Sequence, residues 1–365
     1  MATNDAFYVP CLRWRQAEYQ ALLALIDKAK DSIVPLITIP DLEFDFEDGT
    51  PKKTVGDHVG PFPKRYKEKW KTRRAWIDTD PSIQTQSMPD GRPVFAYVFD
   101  EIRKFKADAM PVASLDCTAK VVAQIAAIVA TDKKGVCIRA RIEHVMKGSF
   151  GANLDALLKS LNVTAAETDL IVDLGTPSYE PYSAFAAALA IALSKIPNLP
   201  AYRNFILVGC AFPDSLAAVS APIGYIERHD WKFYVQLLAK LPKGMRPPLF
   251  GDYATVNPSF TAKMDMRKVN PAGKIVYATT DRWFVRKGGA FRGNEKQMHK
   301  LSDDVVKSGL FRGPSFSAGD DYIDKCAKKT VGPSNQTRWK TVGINHHIMQ
   351  VIDEVASLGV KPSTP

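Results

Sequence analysis

Cysteine is scarce in this chain of 365 residues, and its five copies, Cys11, Cys117, Cys137, Cys210 and Cys326, form no CxxC pair. An odd, unspaced set, mostly in or beside strand-like segments, reads as small buried hydrophobes in a reducing cytosol. It does not read as a disulfide framework or a zinc site. Long hydrophobic runs are missing too. The longest, Ala184–Leu193, is Ala-rich and too short to span a bilayer, and the opening MATNDAFYVP has no apolar signal region. A cytoplasmic protein with no membrane partner is therefore expected. There is no GxSxG, HExxH or EF-hand spacing, and Gly288-Gly289 fits neither a P-loop nor a dinucleotide fingerprint, so no nucleotide cofactor has motif support.

Negative charge is in short supply: 39 acidic residues face 49 lysines and arginines, for a net charge of +10. The excess is clustered. Between Lys243 and Lys340 there are 19 basic residues against 9 acidic ones, and Lys52–Arg74 is a second basic run. Clustered positive charge attracts polyanions, so nucleic acid or a protein partner enters as an expectation; solvated surface is the equal alternative.

What the chain does have is a recurring strand-length apolar segment that usually ends on a charged residue. These are Phe7–Leu12, Ile33–Ile37, Ala75–Ile77, Met110–Leu115, Gly135–Ile138, Leu170–Leu174, Phe205–Val208 and Leu249–Tyr253, most of them followed by a helical pattern. Eight such units in about 250 residues predict an α/β fold, a (β/α)8 TIM-like barrel. The expected division is a barrel over residues 1–255 and a basic C-terminal strand-helix extension, 256–365, packed on it. The terminal helix, Trp339–Leu358, has an apolar face and is expected to join the outer helical layer. A rival eighth strand is Lys274–Thr279.

Several stretches taken together resemble the beta protein family of bacteria and their phages. They are Tyr8-Val9-Pro10-Cys11-Leu12-Arg13-Trp14 with Glu18-Tyr19, Val34-Pro35-Leu36-Ile37, Gly251-Asp252-Tyr253-Ala254, Gly319-Asp320-Asp321-Tyr322-Ile323 and the run Trp339 to His347. The resemblance runs nearly end to end. It implies an intracellular bacterial or phage origin and a setting of phage–host conflict, and it implies no catalytic residues.

A barrel places its chemistry at the C-terminal ends of its strands. Asp78, Asp116, Asp173 and Asp252 stand at or just past four such ends, with Arg139 and Arg141 on the strand between two of them. Carboxylates from neighbouring strands act as acid and base or hold a divalent cation, here Mg2+ or Mn2+ on Asp116, Asp173 and Asp252. An adjacent arginine clamps a phosphate. This set predicts a metal-assisted phosphoesterase or nuclease; a layer of buried Asp–Arg pairs is the competing reading. His346 adds a candidate acid or base. Trp283, Arg286 and Lys287 combine an aromatic with cations, as a nucleic-acid contact does and as an ordinary hairpin does too. Trp14 is a pocket wall or a helix-start anchor. A non-enzymatic barrel that binds nucleic acid or a protein is the alternative function, and a metal-free carboxylate pair acting on sugars or nucleotides is a third.

Overall fold

The computed structural model describes residues 7–45, 47–259 and 269–359. Eight strands form a closed barrel: Val9–Arg13, Leu36–Ile39, Ala75–Thr79, Ala109–Ala113, Val136–Arg141, Thr168–Asp173, Asn204–Gly209 and Leu249–Asp252, strands one to eight below. Each pairs in parallel with its sequence neighbours, and strand eight closes onto strand one through Val9 opposite Gly251 and Pro10 opposite Asp252. Every expected strand is present, and Leu249–Asp252 is the eighth. The rival Lys274–Thr279 segment falls in a separate sheet, where Ile223–Glu227, Arg282–Ala290 and Ala272–Ala278 pair antiparallel in that spatial order.

The apolar runs follow from burial on both faces of a parallel sheet. Val9, Cys11, Leu36, Trp76, Met110, Val112, Cys137, Ile171, Ile206, Val208 and Leu249 fill the barrel's interior. Its N-terminal end is closed by Asp169, fully buried, which accepts from Trp76 Nε1 at 2.7 Å, Arg203 Nε at 2.7 Å and Asn204 Nδ2 at 2.8 Å. The buried charge is tolerated because the carboxylate is satisfied on all sides. Gly135, leading into strand five, has φ +80°, and a Cβ there would stand 1.9 Å from the Glu167 carbonyl oxygen. Gly135→Ala is therefore expected to lower stability by at least about 1–3 kcal/mol, the cost of the left-handed backbone alone, read as a drop in Tm.

Helices Val94–Arg103, Ala119–Asp132, Phe150–Leu161, Tyr182–Ser194 and His229–Lys240 follow strands three to seven. The helical stretch after strand one is two helices, Gln16–Leu23 and Asp27–Asp31, with Lys30 Nζ turned back onto the Leu23 carbonyl at 3.0 Å. The eighth helix is Gln336–Leu358, which packs on Gln16–Leu23 and completes the outer ring. Residues 253–259 and 269–335 belong to an excursion between strand eight and its helix. It carries two strands of the separate sheet and helices Gln297–Val306 and Ala318–Ala327, a cap with its own apolar core around Tyr277, Phe284, Met298 and Trp339. Residues 260–268 and 360–365 of the basic extension lie outside the described residues.

The terminal helix is enclosed on nearly every side, which explains its polar Asn345-His346-His347 run. Successive helical residues point about 100° apart, so the three reach three neighbours. Asn345 donates to the Ala21 carbonyl at 3.1 Å and accepts from the Gly319 N–H at 2.9 Å. His346 turns into the cap and His347 into the barrel wall, both with no exposure.

Candidate active site

Side chains alternate across a strand, so Arg139 and Arg141 face the same side of strand five. Arg139 lies at the C-terminal mouth and gathers the ends of three other strands. Its Nε and Nη2 donate to Asp173 Oδ2 at 2.9 and 2.6 Å, and its Nη1 donates to Asp78 Oδ2 at 3.1 Å. Nη2 also donates to the Tyr253 hydroxyl at 2.7 Å, and that hydroxyl donates to Asp173 Oδ2 at 2.5 Å. The other Asp173 oxygen accepts from the Gly175 N–H at 2.9 Å. Burial works against the charge on Arg139, but Tyr253, Asp173 and Asp78 outweigh it and hold its pKa well above the ordinary value. Burial pushes the Asp78 carboxyl up, and Arg139 only partly offsets this. The two acids thus sit in different environments around one guanidinium. Cys11, inside the barrel beneath them, is held as a thiol by burial.

The other site candidates go elsewhere. Asp116 lies on the rim, half-exposed, where Oδ2 pairs with Arg141 Nη2 at 3.0 Å and Oδ1 meets His144 Nε2 at 3.1 Å. Asp252 points outward from the barrel wall. It accepts from the Tyr8 hydroxyl and from His347 Nε2 at 2.7 Å, while Trp283 Nε1 donates to His347 Nδ1 at 3.2 Å. Burial alone would raise the Asp252 carboxyl; His347 and Tyr8 bring it below the ordinary value. It is sealed under the terminal helix at 1% exposure, so no substrate reaches it.

The expected cation ligands are accordingly dispersed. Asp173 is bound up with Arg139, Asp116 with Arg141 and His144, and Asp252 with His347 and Tyr8. Among the described residues no group of three or more His, Cys, Asp or Glu is placed to hold a metal ion. The residues present do not fit the expected Mg2+ or Mn2+ site. The reason is geometric: parallel strand ends carry side chains alternately inside and outside the barrel, and Asp252 falls on the outside.

His346 is not at the mouth. Its Nδ1 faces Asp320 Oδ2 at 2.8 Å and its Nε2 faces the Ala278 carbonyl at 2.9 Å, while Tyr277 OH donates to the same aspartate at 2.7 Å. The basic hairpin is spent on the cap's own fastening. Trp283 is fully buried between Phe212 and His347, Arg286 pairs with Asp304, and Lys287 Nζ donates to the carbonyls of Leu216 and Val219 at 3.0 Å each. Trp14 sits just past the end of strand one. Buried beside Tyr19 and Phe62, it lines a cavity of about 280 Å3 with Arg15, Lys53, His58 and Arg65.

Sequence reasoning missed Tyr253 and His144. Tyr253 lies one residue past strand eight, on the inward-pointing parity with Gly251, and that parity was its only signal. His144 lies three residues past Arg141, on the short helical turn Ile142–Val145.

A closed eight-stranded parallel barrel with charged side chains converging at its C-terminal mouth defines a (β/α)8 TIM-like protein. The sequence model of one family, described as Beta protein, matches residues 8–353, and the chain belongs to that family. No curated protein matches the sequence. Among solved structures, the chain is similar to triosephosphate isomerase from Bartonella henselae, with 9% identity and a TM-score of 0.35 over 68% of this chain and 91% of that one. It is also similar to the YdjI aldolase from Escherichia coli K12, with 7% identity and a TM-score of 0.36 over 96% and 91%. Among the described residues no helix is long and apolar enough to cross a membrane.

Proposed function

We propose that the barrel mouth is the active site of a hydrolase for phosphate-bearing substrates, nucleic acids among them, of bacterial or phage origin and acting in the bacterial cytoplasm. The observation that supports this most is the pairing of two strand-end acids in unlike environments about Arg139. Asp78, whose carboxyl burial pushes up, is suited to give a proton to a leaving oxygen. Asp173, ringed by donors, is suited to orient Arg139 and to accept a proton as water attacks. Arg141, with its side chain 59% exposed at the rim, is the cation best placed to meet an incoming phosphate.

The test is to incubate the protein with single- and double-stranded DNA and RNA, and with a phosphodiester chromogen. Hydrolysis by the wild type is expected to fall by about 10²–10⁴ in Asp78→Asn, with partial recovery in Asp78→Glu and little change in melting. Failure to cleave any of these substrates, or full activity in a folded Asp78→Asn protein, overturns the reading.

A second reading, recognition of nucleic acid without chemistry, draws on the surface helix Phe62–Lys69, where Lys64, Arg65 and Lys67 are exposed. It predicts binding that weakens steeply with salt and is insensitive to Asp78.

A further inference from the structure

A second cavity, of about 310 Å3, opens between the barrel and its cap. The loop after strand seven (Phe212, Leu216), the loop after strand eight (Val256, Asn257), the cap residues Val276 and Phe291, and the terminal helix line it. Its walls are mostly apolar, and two lysines, Lys274 and Lys340, lie among the lining residues.

Lys274 is out of keeping with its position. It stands directly across the sheet from Lys287, and like charges in register destabilise a strand pair. Lys287 is satisfied by backbone carbonyls. Lys274 is only partly exposed and has no hydrogen-bonding or ion-pair partner among the described residues. The charges acting on it from those residues are Lys340 and Lys287, and burial together with these two cations pushes its ammonium pKa down. The one acid among the lining residues, Asp214, is exposed and is not among the charges acting on Lys274. Desolvating a cation next to another cation is unfavourable unless something anionic completes the site.

We propose that this cavity binds a small amphiphilic oxyanion, a carboxylate or phosphate monoester with a ring or short hydrocarbon body. The anionic head would accept from the Nζ groups of Lys274 and Lys340, and the body would lie against Phe212, Leu216 and Phe291. The volume, about ten waters' worth, suits a ligand the size of a substituted benzene ring with its charged group. The site uses none of the mouth residues, so it stands or falls independently of the hydrolase reading.

The test is calorimetric titration of the full chain with phenyl phosphate, benzoate, inorganic phosphate and benzyl alcohol. Saturable binding of phenyl phosphate or benzoate is expected, with inorganic phosphate and benzyl alcohol much weaker because each lacks one half of the recognition. Lys274→Met is expected to weaken binding roughly ten- to a hundredfold, the loss of a charged hydrogen bond. Lys274→Arg should retain most of it. Lys340→Ala, at an exposed helical position, checks the same head group where Lys274→Met folds poorly, and should weaken binding several-fold. Absence of saturable binding to the wild type, binding unchanged in both lysine variants, or benzyl alcohol binding as tightly as phenyl phosphate would falsify the proposal.

Discussion

Replacing His347 by alanine is expected to destabilise the protein by about 3–5 kcal/mol, the usual cost of stranding one member of a buried pair. His347 Nε2 lies 2.7 Å from an Asp252 oxygen, and both residues are almost wholly buried. Without the imidazole, Asp252 keeps only the Tyr8 hydroxyl and the Ala254 N–H. The contact joins strand one, strand eight and the terminal helix, the seam where the ring of βα units closes, so the loss should appear as a lower urea midpoint for the whole barrel. Asp252→Asn in the His347→Ala background should recover part of it, because the uncompensated charge is what costs most. A loss below about 1 kcal/mol, the ordinary size of a point-mutant effect, would mean that the seam is held by apolar packing alone. The Asp252 carboxyl lies below its ordinary pKa, so its stabilising contribution is present at neutral pH and lost on strong acidification, as pH falls through the folded value.

A large effect of opposite sign is expected at Glu18. This side chain, 4% exposed on the first barrel helix, accepts from the Arg13 N–H at 3.2 Å. Burial raises its carboxyl from 4.5 to about 7, with Arg15, Arg13 and Lys340 giving only partial relief. A raised acid pKa means that the folded state holds the proton more tightly than the unfolded chain does. The group's effect on stability is therefore nil at low pH, becomes unfavourable as pH rises through 4.5, and levels off above about 7 at roughly 3 kcal/mol. Glu18→Gln keeps the acceptor oxygen and removes the titration. Denaturant unfolding of the two proteins at pH 4, 6 and 8 should show near-equal stability at the lowest pH and a growing advantage for the variant above it. Parallel curves would show that Glu18 is charged in the fold at no cost.

Much of the architecture was legible because a parallel barrel buries its strands on both faces and so writes them as short apolar runs. The order of strands, the place of the helices and the position of the mouth follow from that pattern. The meeting of Asp78 and Arg139 at the mouth was legible for the same reason, since a charge at the end of a buried run has few places to go except the mouth. Asp252 shows the limit. It ends its strand as Asp173 does, yet the two point to opposite sides of the barrel wall, and a strand boundary misplaced by one residue changes the face.

The cap was only half visible. Its strand Ile223–Glu227 comes from the loop before the seventh helix, far in sequence from the hairpin it joins, and no local pattern announces such a pairing. The basic hairpin residues looked like a nucleic-acid grip because composition records charge and not its partners. Asp304 and the carbonyls of Leu216 and Val219 absorb Arg286 and Lys287 only once the chain is folded.

By itself, then, the sequence determined the eight βα units and the convergence of Asp78, Asp173 and Arg139 on one mouth, because hydrophobic periodicity and strand ends are local properties. Tertiary structure alone decided which charges are spent on each other and which are left at the surface. That depends on contacts between residues more than a hundred positions apart, such as Arg139 with Tyr253, which local periodicity does not encode.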